Sequence, residues 1–383
     1  MNGFRWRTVL GLVGALKFRR HYYYCECCNQ GTVPWDQTIG LDAKRETPAA
    51  KEIISLGGTV DPFGESAEKL ILKLSGLRVS ESTVRRITEA VGAEIGKAQA
   101  LGEVFGEAKA WEWHKDAEGR TVAYVSTDAT GVGIQGYKGA EADGRMLNLG
   151  MVYNPIPEEK DRRARPDQVR PPWQARYVTS MNGLDGLATP LRQQAAQVGM
   201  DSADRWIAIS DGGNGLEEFL KVNFPRVDVV ILDFYHAAEY LGKIAQAWYP
   251  TDAEALKTWM EQWCHDLKHK GGEFVLERLR SLLASRGVPK AVRVRLEEAI
   301  TYFNNQKHRM DYPKYQAKGW QIGSGPMESA CKTVIGMRMK QGGMRWGEDH
   351  ADEISHIRAL FRSETDQWDC FWQRKRMNPY PQI

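Results

Sequence analysis

Residues 206–236, WIAISDGGNGLEEFLKVNFPRVDVVILDFYH, decide how the centre of this chain folds. The apolar runs WIAIS and VDVVIL have the length and the β-branched content of buried strands. The stretch between them, near 214–223, has the pattern of a helix. Alternation of strand and helix predicts an α/β sheet in this part of the chain.

Three further apolar runs precede this stretch: TVAYVSTD at 121–128, MLNLGMVYN at 146–154 and ARYVTSMNG at 175–183. They follow one another without a helical pattern between them, which is typical of an antiparallel meander. A helix is predicted near 185–199. Residues 252–310 carry no strand pattern and predict a helical block inserted into the fold. The predicted class is therefore a multidomain α+β or α/β protein with a mixed sheet flanked by helices.

Composition excludes several classes of protein. The chain has 383 residues, of which 42% are hydrophobic and 26% charged, with a formal net charge of +3. This length suffices for two or three domains and excludes a disordered or fibrous chain. No apolar run is long enough to span a membrane, and the charged N-terminal stretch lacks a signal-peptide cleavage site. We therefore expect a cytoplasmic protein with no membrane partner.

Residues 66–92, SAEKLILKLSGLRVSESTVRRITEAVG, have the pattern of a helix-turn-helix unit. The first helix ends at a turn around Gly76, and the second begins at Ser80 or Ser82 as N-cap. In a helix-turn-helix unit, the early residues of the second helix contact base edges in the major groove. The candidate DNA contacts are Ser82, Thr83, Arg85 and Arg86. An ordinary helical hairpin with a glycine turn is the alternative.

Basic residues are concentrated in two segments that contain no acid. One is residues 1–20, with Arg5, Arg7, Lys17, Arg19 and Arg20. The other is residues 331–346, with Lys332, Arg338, Lys340 and Arg345. Patches of one sign beside aromatic side chains suit a phosphate backbone, whereas a solvated surface is the alternative.

Three acids stand where one edge of a sheet would present them. Asp128 and Asp211 end apolar runs, and Glu328 lies in the first turn of a helix that starts at Gly325-Pro326. Three gathered carboxylates repel one another unless they share cations, and hard oxygen ligands suit Mg²⁺ or Mn²⁺. Two such ions support in-line attack on a phosphodiester. Alternatively, Asp211 is a turn residue before Gly-Gly, and Glu328 stabilises a helix N-terminus.

Asp233 and His236 close the run VDVVIL. A histidine at a strand end can contact a phosphate or a neighbouring acid. The alternative is structural: Asp233 caps the following helix, and His236 is hydrogen-bonded near the core.

Taken together, STDATG, ISDGGNGL, DFYHAAEYL and GSGPMESACK resemble the DDE transposases of the bacterial ISKra insertion-sequence family, which is related to the Mutator-like branch. The resemblance covers residues 20–365. It implies an RNase H-like core in which Asp128, Asp211 and Glu328 bind two Mg²⁺ or Mn²⁺ ions, with Asp233 and His236 close by. It also implies double-stranded DNA partners, namely terminal inverted repeats and target DNA, strand transfer by a 3′-hydroxyl, and a homo-oligomer on DNA.

The same resemblance implies a zinc-ribbon-like N-terminal segment. Cys25-x-x-Cys28 supplies one knuckle, whereas residues 1–24 contain no cysteine. Structural Zn²⁺ takes four ligands, to which His21 and Cys27 are the nearby additions. We therefore predict at most a remnant of the ribbon, with Cys25 and Cys28 as possible Zn²⁺ ligands.

These inferences predict a DNA transposase that cleaves insertion-sequence ends and joins them to target DNA. The alternatives are an RNase H-like nuclease without joining activity and a catalytically inactive, transposase-derived DNA-binding protein. The predicted regions are a cysteine-containing remnant (1–45), a helix-turn-helix region (46–115), a first part of the RNase H-like core (116–250), a helical insertion (251–318), the final core helix with Glu328 (319–365) and a tail (366–383).

Overall fold

The computed structural model describes residues 3–38, 41, 45–136, 143–155, 174–364 and 366–377.

The N-terminal segment forms two small β-hairpins. Strand β1 (Phe4–Gly11) pairs antiparallel with β2 (Gly14–His21), and β3 (Tyr23–Cys25) pairs with β4 (Gln30–Thr32). Sequence patterns predict a basic patch in residues 1–20 but not this hairpin.

Helix α1 (Pro34–Thr38) anchors the first hairpin through a buried carboxylate. Arg20 Nε lies 2.8 Å from both carboxylate oxygens of Asp36, and Arg7 Nη1 lies 2.5 Å from Oδ2. The Asp36 side chain is 7% exposed. Two guanidinium groups thus balance one buried charge and fix the hairpin against α1.

Helices follow the hairpins as the sequence predicts. The elements are α2 (Pro48–Val60), α3 (Phe63–Glu65), a π-helical turn (Ser66–Ile71), α4 (Leu72–Ser75) and α5 (Glu81–Ala100). Gly76 ends α4 with a φ of 72°, in the left-handed region that favours glycine. Ser80 Oγ accepts a hydrogen bond from the Thr83 backbone N–H and so caps α5. The turn at Gly76 and the helix start at Ser80 are confirmed.

A mixed sheet of five strands forms the centre of the chain, in the order β7-β6-β5-β8-β9. Its strands are β5 (Val122–Ile134), β6 (Asp143–Asn154), β7 (Gln174–Ser180), β8 (Arg205–Ser210) and β9 (Val227–Leu232). The first three form an antiparallel meander, and β8 and β9 run parallel to β5. The predicted α/β class with a leading meander is confirmed at this level.

Helices cover both faces of the sheet. Helices α6 (Asp185–Gln197) and α7 (Leu216–Asn223) pack with Ala123 and Val125 of β5 in one core cluster. Helix α8 (Phe234–Trp248) packs on the other face, where Tyr124 belongs to a larger cluster. Because successive strand residues point to opposite faces, β5 is buried on both sides. A 3₁₀ turn (Met200–Ser202) precedes β8.

Residues 253–317 are helical, as predicted for this part of the chain. The elements are α9 (Ala253–Ala284), α10 (Lys290–Gln306), a 3₁₀ turn (Lys307–Arg309) and α11 (Tyr312–Ala317). Helix α9 bends at Gly271, whose φ of 84° a side chain would strain. Among the described helices, none combines the length with the apolar character that a membrane span requires.

The last part of the chain returns to the sheet. It contains α12 (Gly325–Ala330), a π-helical turn (Cys331–Gly336), α13 (Met337–Met339), α14 (Glu348–Arg362) and α15 (Gln367–Met377). Helix α14 packs closely on α5, because Gly92 and Gly96 carry no side chain at the crossing. A Cβ at Gly92 would lie 2.0 Å from the Glu353 carbonyl oxygen.

The close crossing of α5 and α14 predicts that alanine at Gly92 lowers the stability of the fold, whereas alanine at a helical glycine outside the crossing does not. Gly92→Ala should destabilise the fold by about 2 kcal/mol, because the added methyl meets rigid backbone. Gly242→Ala in α8 is the control, since its Cβ would meet only Met260 Cε at 3.8 Å. This control should gain up to about 1 kcal/mol from helix propensity. Urea unfolding measures both values, and equal stabilities for the two variants would contradict the crossing.

Candidate active site

The sheet brings Asp128 beside Asp211. Strands β5 and β8 pair in parallel from Val122 with Arg205 to Ser126 with Ile209. The same register, continued by two residues, sets Asp128 opposite Asp211. Burial raises the pKa of the Asp128 carboxyl, and the negative charge of Asp211 raises it further. Two carboxylates therefore share one edge of the sheet at a cost in electrostatic repulsion.

Asp233 is held in place by four hydrogen bonds. It follows β9 and is 2% exposed. Its carboxylate accepts from the backbone N–H groups of Tyr235 and His236, each at 3.3 Å, and of Ser324 at 2.8 Å. The Nδ1 atom of His236 lies 2.8 Å from Asp233 Oδ2. Asp233 thus caps α8, as the structural alternative predicts, and also joins this helix to the segment before Glu328.

His236 stands between two acids. Its Nε2 atom lies 4.0 Å from Asp211 Oδ2, while Nδ1 contacts Asp233. The hydrogen bond to Asp233, opposed by burial, raises the pKa of His236 to about 9. Burial alone would raise the pKa of Asp233, but hydrogen bonds from His236 and Ser324 lower it. At neutral pH the pair is therefore an imidazolium and a carboxylate.

Glu328 lies in α12, and the segment that follows it contacts β5. Its side chain is exposed, and its backbone N–H donates to the Ser324 carbonyl at 2.9 Å. One turn later, Cys331 Sγ lies 3.5 Å from Asp128 Oδ2, so the segment carrying Glu328 abuts β5. Burial and the Asp128 carboxylate raise the pKa of the Cys331 thiol. Sequence patterns do not single out Cys331, although its position three residues after Glu328 places both on one helix face.

Arg309 ties the helical insertion to the candidate site. The residue is 2% exposed, and Nη2 donates to the carbonyl oxygens of Ser210 and Asp211, each at 3.1 Å. Its Nε donates to the Val230 carbonyl of β9 at 3.2 Å. One guanidinium group therefore fixes the ends of the two strands that lead to Asp211 and Asp233. Nothing in the local sequence distinguishes Arg309 from a surface arginine.

The predicted metal ligands are chemically suited to Mg²⁺ or Mn²⁺, which take oxygen donors. Asp128 and Asp211 lie together, and a shared cation would relieve their repulsion. Asp128, Asp211 and Glu328 do not form a compact set in the structure, because their donor atoms do not all lie within 4.8 Å of one another. Among the described residues, the three predicted ligands therefore do not assemble into one compact donor set.

The compact donor set among the described residues lies elsewhere, between α5 and α14. It consists of Glu89, His350 and Glu353. His350 Nδ1 lies 3.6 Å from Glu89 Oε2 and 3.0 Å from Glu353 Oε2. One nitrogen and two carboxylates could hold a metal ion, but this donor set does not select one metal. Sequence patterns do not indicate this group, because Glu89 is remote from the other two residues along the chain.

The candidate DNA contacts of α5 lie at its N-terminal end. Ser82 and Arg85 are exposed, and Thr83 is half-buried. Arg86 is 61% exposed, but its Nη2 contacts Glu46 Oε1 at 2.7 Å. These residues share one surface, which a partner can reach.

The second basic segment is divided by burial. Lys332, Lys340 and Arg345 are exposed, and Lys340 contacts Thr130 Oγ1 of β5 near Asp128. Arg338 is instead 1% exposed, so its prediction as a phosphate contact is wrong. Its Nε donates to the Gly58 carbonyl at 2.9 Å, and its guanidinium stacks near the Phe63 and Trp346 rings. Arg338 lies on the buried face of α13. Its positive charge alone does not reveal this burial.

Cys25, Cys27 and Cys28 are exposed free thiols at the turn between β3 and β4. Hydrogen bonds from Cys28 and Cys27 lower the pKa of Cys25. The described residues around them, His21 included, do not assemble a compact set of three metal donors. The structure therefore does not provide the tetrahedral ligand set that structural Zn²⁺ requires.

Neither a protein-family model nor a curated protein matches the sequence. The resemblance to DDE transposases thus depends on the motifs quoted above.

The link between His236 and Asp233 predicts a pH-dependent contribution to stability. The pKa of His236 is raised from 6.5 to about 9, so the folded state binds the proton more tightly. The contribution is fully present below pH 6.5 and is lost as the pH rises to 9. Urea unfolding in EDTA should show that wild type loses its advantage over His236→Gln across this range. A constant difference would contradict the link.

The contacts of Arg309 predict a large loss of stability on its removal. Arg309→Leu leaves buried carbonyl groups without donors and should cost about 3 kcal/mol. Arg295→Leu is the matched control, because Arg295 is 47% exposed and pairs only with Glu298 on its own helix. The control should cost less than about 1 kcal/mol. Urea unfolding compares the two, and similar losses would show that Arg309 has no special role.

Proposed function

We propose that this protein is a DDE transposase that cleaves the ends of an insertion sequence and joins them to target DNA. One observation carries the proposal: Asp128, Asp211, Asp233 and His236 meet at one edge of the sheet, and the segment bearing Glu328 contacts Asp128 through Cys331. These residues come from the motifs that resemble the family. Their convergence supports a common active site.

The strand order also supports an RNase H-like core. An antiparallel meander is followed by two strands parallel to the first, and the meander's first strand lies at the centre of the sheet. This arrangement is the one expected of the core that the resemblance implies. It presents Asp128 on the central strand and Asp211 after the neighbouring parallel strand, at the edge where α/β proteins bind ligands.

In the proposed reaction, Asp128, Asp211 and Glu328 would hold the divalent cations. Bound Mg²⁺ or Mn²⁺ supplies activation of the attacking water or 3′-hydroxyl and stabilisation of the leaving oxygen. His236, which is positively charged at neutral pH, stands beside Asp211 and offers a cation to the DNA phosphate. Asp233 acts as a positioning residue, because it orients the imidazole through Nδ1.

DNA is proposed to cross the exposed basic residues around this site. Lys340 lies next to Thr130 of β5, and Lys332 follows Glu328 by about one helical turn. Arg345 and the N-terminal end of α5, with Ser82, Thr83, Arg85 and Arg86, extend the surface. Phosphate contacts of this kind fix the register of DNA, whereas α5 would read base edges. We further propose that two or more copies act together on the paired ends.

A catalytically inactive DNA-binding protein derived from a transposase is the second candidate. The exposed position of Glu328, outside a compact set with Asp128 and Asp211, favours it. An RNase H-like nuclease would share the site but release hydrolysed ends.

Incubation of purified protein with DNA that carries the flanking ends tests all three candidates. With Mg²⁺ or Mn²⁺, a transposase yields nicked and joined products, a nuclease nicked products alone, and the inactive protein neither. Asp128→Ala and Glu328→Ala should each lower the rate by more than about a hundredfold, because ion-held charge stabilisation contributes several kcal/mol. Asp143→Ala is the matched control, because Asp143 is an exposed acid at the start of β6. Unchanged nicking by Asp128→Ala would remove this residue from the mechanism.

A further inference from the structure

The hairpin of β1 and β2 has two unlike faces. Residues paired across an antiparallel ladder lie on one face. The face with Val9 and Phe18 is packed at its centre, although Leu16 on it is 40% exposed: Val9 is 2% exposed, and the Phe18 ring contacts Trp35 of α1 at 4.9 Å between centroids. Arg7 and Arg20 on this face bind Asp36. This side of the hairpin therefore packs against α1.

The opposite face is open. On it, aromatic residues of β1 lie across the ladder from basic residues of β2. It carries the register pairs Phe4 with His21, Trp6 with Arg19 and Thr8 with Lys17. Phe4 is 49% and Trp6 62% exposed. The Arg19 guanidinium lies 4.2 Å from the centroid of the Phe4 ring, and Lys17 Nζ lies 5.2 Å from that of Trp6. The cations thus rest on the rings in the free protein.

Charge indicates an anionic partner for this face. The sequence contains no acid between residues 1 and 25. Lys17 and Arg19 are exposed, and no carboxylate among the described residues pairs with them. A polyanion would meet uncompensated cations and would release counterions on binding.

The ring spacing indicates an unpaired strand. Phe4 and Trp6 are two residues apart, which separates their backbone positions by about 7 Å along a strand. In a duplex the base faces are covered by their neighbours, so these rings would find no faces to stack on. An extended single strand exposes its bases, and aromatic platforms beside cations bind such strands.

The open face continues into a groove beside α5. Thr8, Leu10 and Ala15 of the hairpin line a cavity of about 720 Å³ together with Ser80 and Thr83. Arg45, Arg78 and Arg86 also line it, whereas Glu46 is its one acid among the lining residues. A strand lying on the hairpin therefore has a basic path to the N-terminal end of α5.

We propose that the open face of the β1–β2 hairpin, formed by Phe4, Trp6, Lys17 and Arg19, binds single-stranded DNA. The two rings stack on successive bases, and the two cations turn to the phosphates. The inference deepens the proposed function, since it adds an unpaired strand to the duplex contacts of α5. It specifies a different DNA structure from the one expected at a helix-turn-helix unit.

The test measures binding to a fluorescent oligothymidine of about 16 nucleotides and to a duplex of equal length by fluorescence anisotropy. The protein is the full chain carrying Asp128→Ala, in EDTA, so cleavage plays no part. Phe4→Ala and Trp6→Ala should each weaken oligothymidine binding by about tenfold. Duplex binding should change by less than about twofold. The double variant Leu12→Ala, Val13→Ala is the control, because it removes exposed apolar groups at the hairpin tip, where Val13 is 85% exposed.

Four results would overturn the proposal: no oligothymidine binding by the parent protein, intact oligothymidine binding in the ring variants, an equal loss for the tip control, or an equal loss for duplex. Sedimentation velocity measures self-association of the same variants. If the ring variants abolish self-association and leave oligothymidine binding intact, the face binds a second copy instead. Unchanged circular dichroism excludes misfolding as the cause. Failure of the cleavage assay leaves this result intact, because binding is measured without metal in a cleavage-deficient chain.

Discussion

Parallel pairing between β5 and β8 makes two acids neighbours although they lie far apart along the chain. The register runs from Val122 with Arg205 to Ser126 with Ile209; Asp128 lies two residues further along β5, and Asp211 directly follows β8. Burial and the proximity of Asp211 raise the pKa of Asp128, so the arrangement is electrostatically costly. The sheet, the buried Arg309 and the hydrogen bonds around Asp233 maintain it. The other groups of the candidate site contact this pair: His236 lies beside Asp211, and Cys331 lies beside Asp128.

Three buried arginines, Arg309, Arg338 and Arg358, donate hydrogen bonds to backbone carbonyl groups. Arg309 serves the ends of β8 and β9. Arg338 and Arg358 both reach the C-terminal end of α2, where Gly58 and Thr59 present carbonyl oxygens. The last carbonyls of a helix lack intrahelical partners and carry partial negative charge, so a guanidinium compensates both. Burial lowers the pKa of Arg338 to about 10, which still leaves it charged at neutral pH.

Sequence patterns predict the regular part of this protein well and its tertiary contacts poorly. The five strands, the helices beside them and the N-cap at Ser80 follow from local hydrophobic periodicity and capping chemistry, which neighbouring residues determine. The meeting of Asp128 with Asp211 follows from the parallel register of β5 and β8, although Asp128 lies in the middle of β5 and not at the strand end that its apolar run predicts. The roles of Arg309 and Cys331, the burial of Arg338 and the Glu89, His350 and Glu353 group depend on packing between distant segments. The β1–β2 hairpin escaped prediction because its exposed face carries aromatic and basic residues in place of an apolar and polar alternation.

The helical block between α8 and α12 also bears on the order in which this protein acquires its structure. Asp233 accepts its hydrogen bond from Ser324 after the chain has passed through α9, α10 and α11, and Arg309 within that passage donates to the Val230 carbonyl. Contacts of such sequence separation carry a large loop-closure cost, which prefolding of the intervening helices reduces. During synthesis, β5 to β9 emerge well before the segment with Glu328. The candidate site therefore cannot be complete until that segment has been made, and until then a nascent chain exposes its sheet edge without the full set of acids.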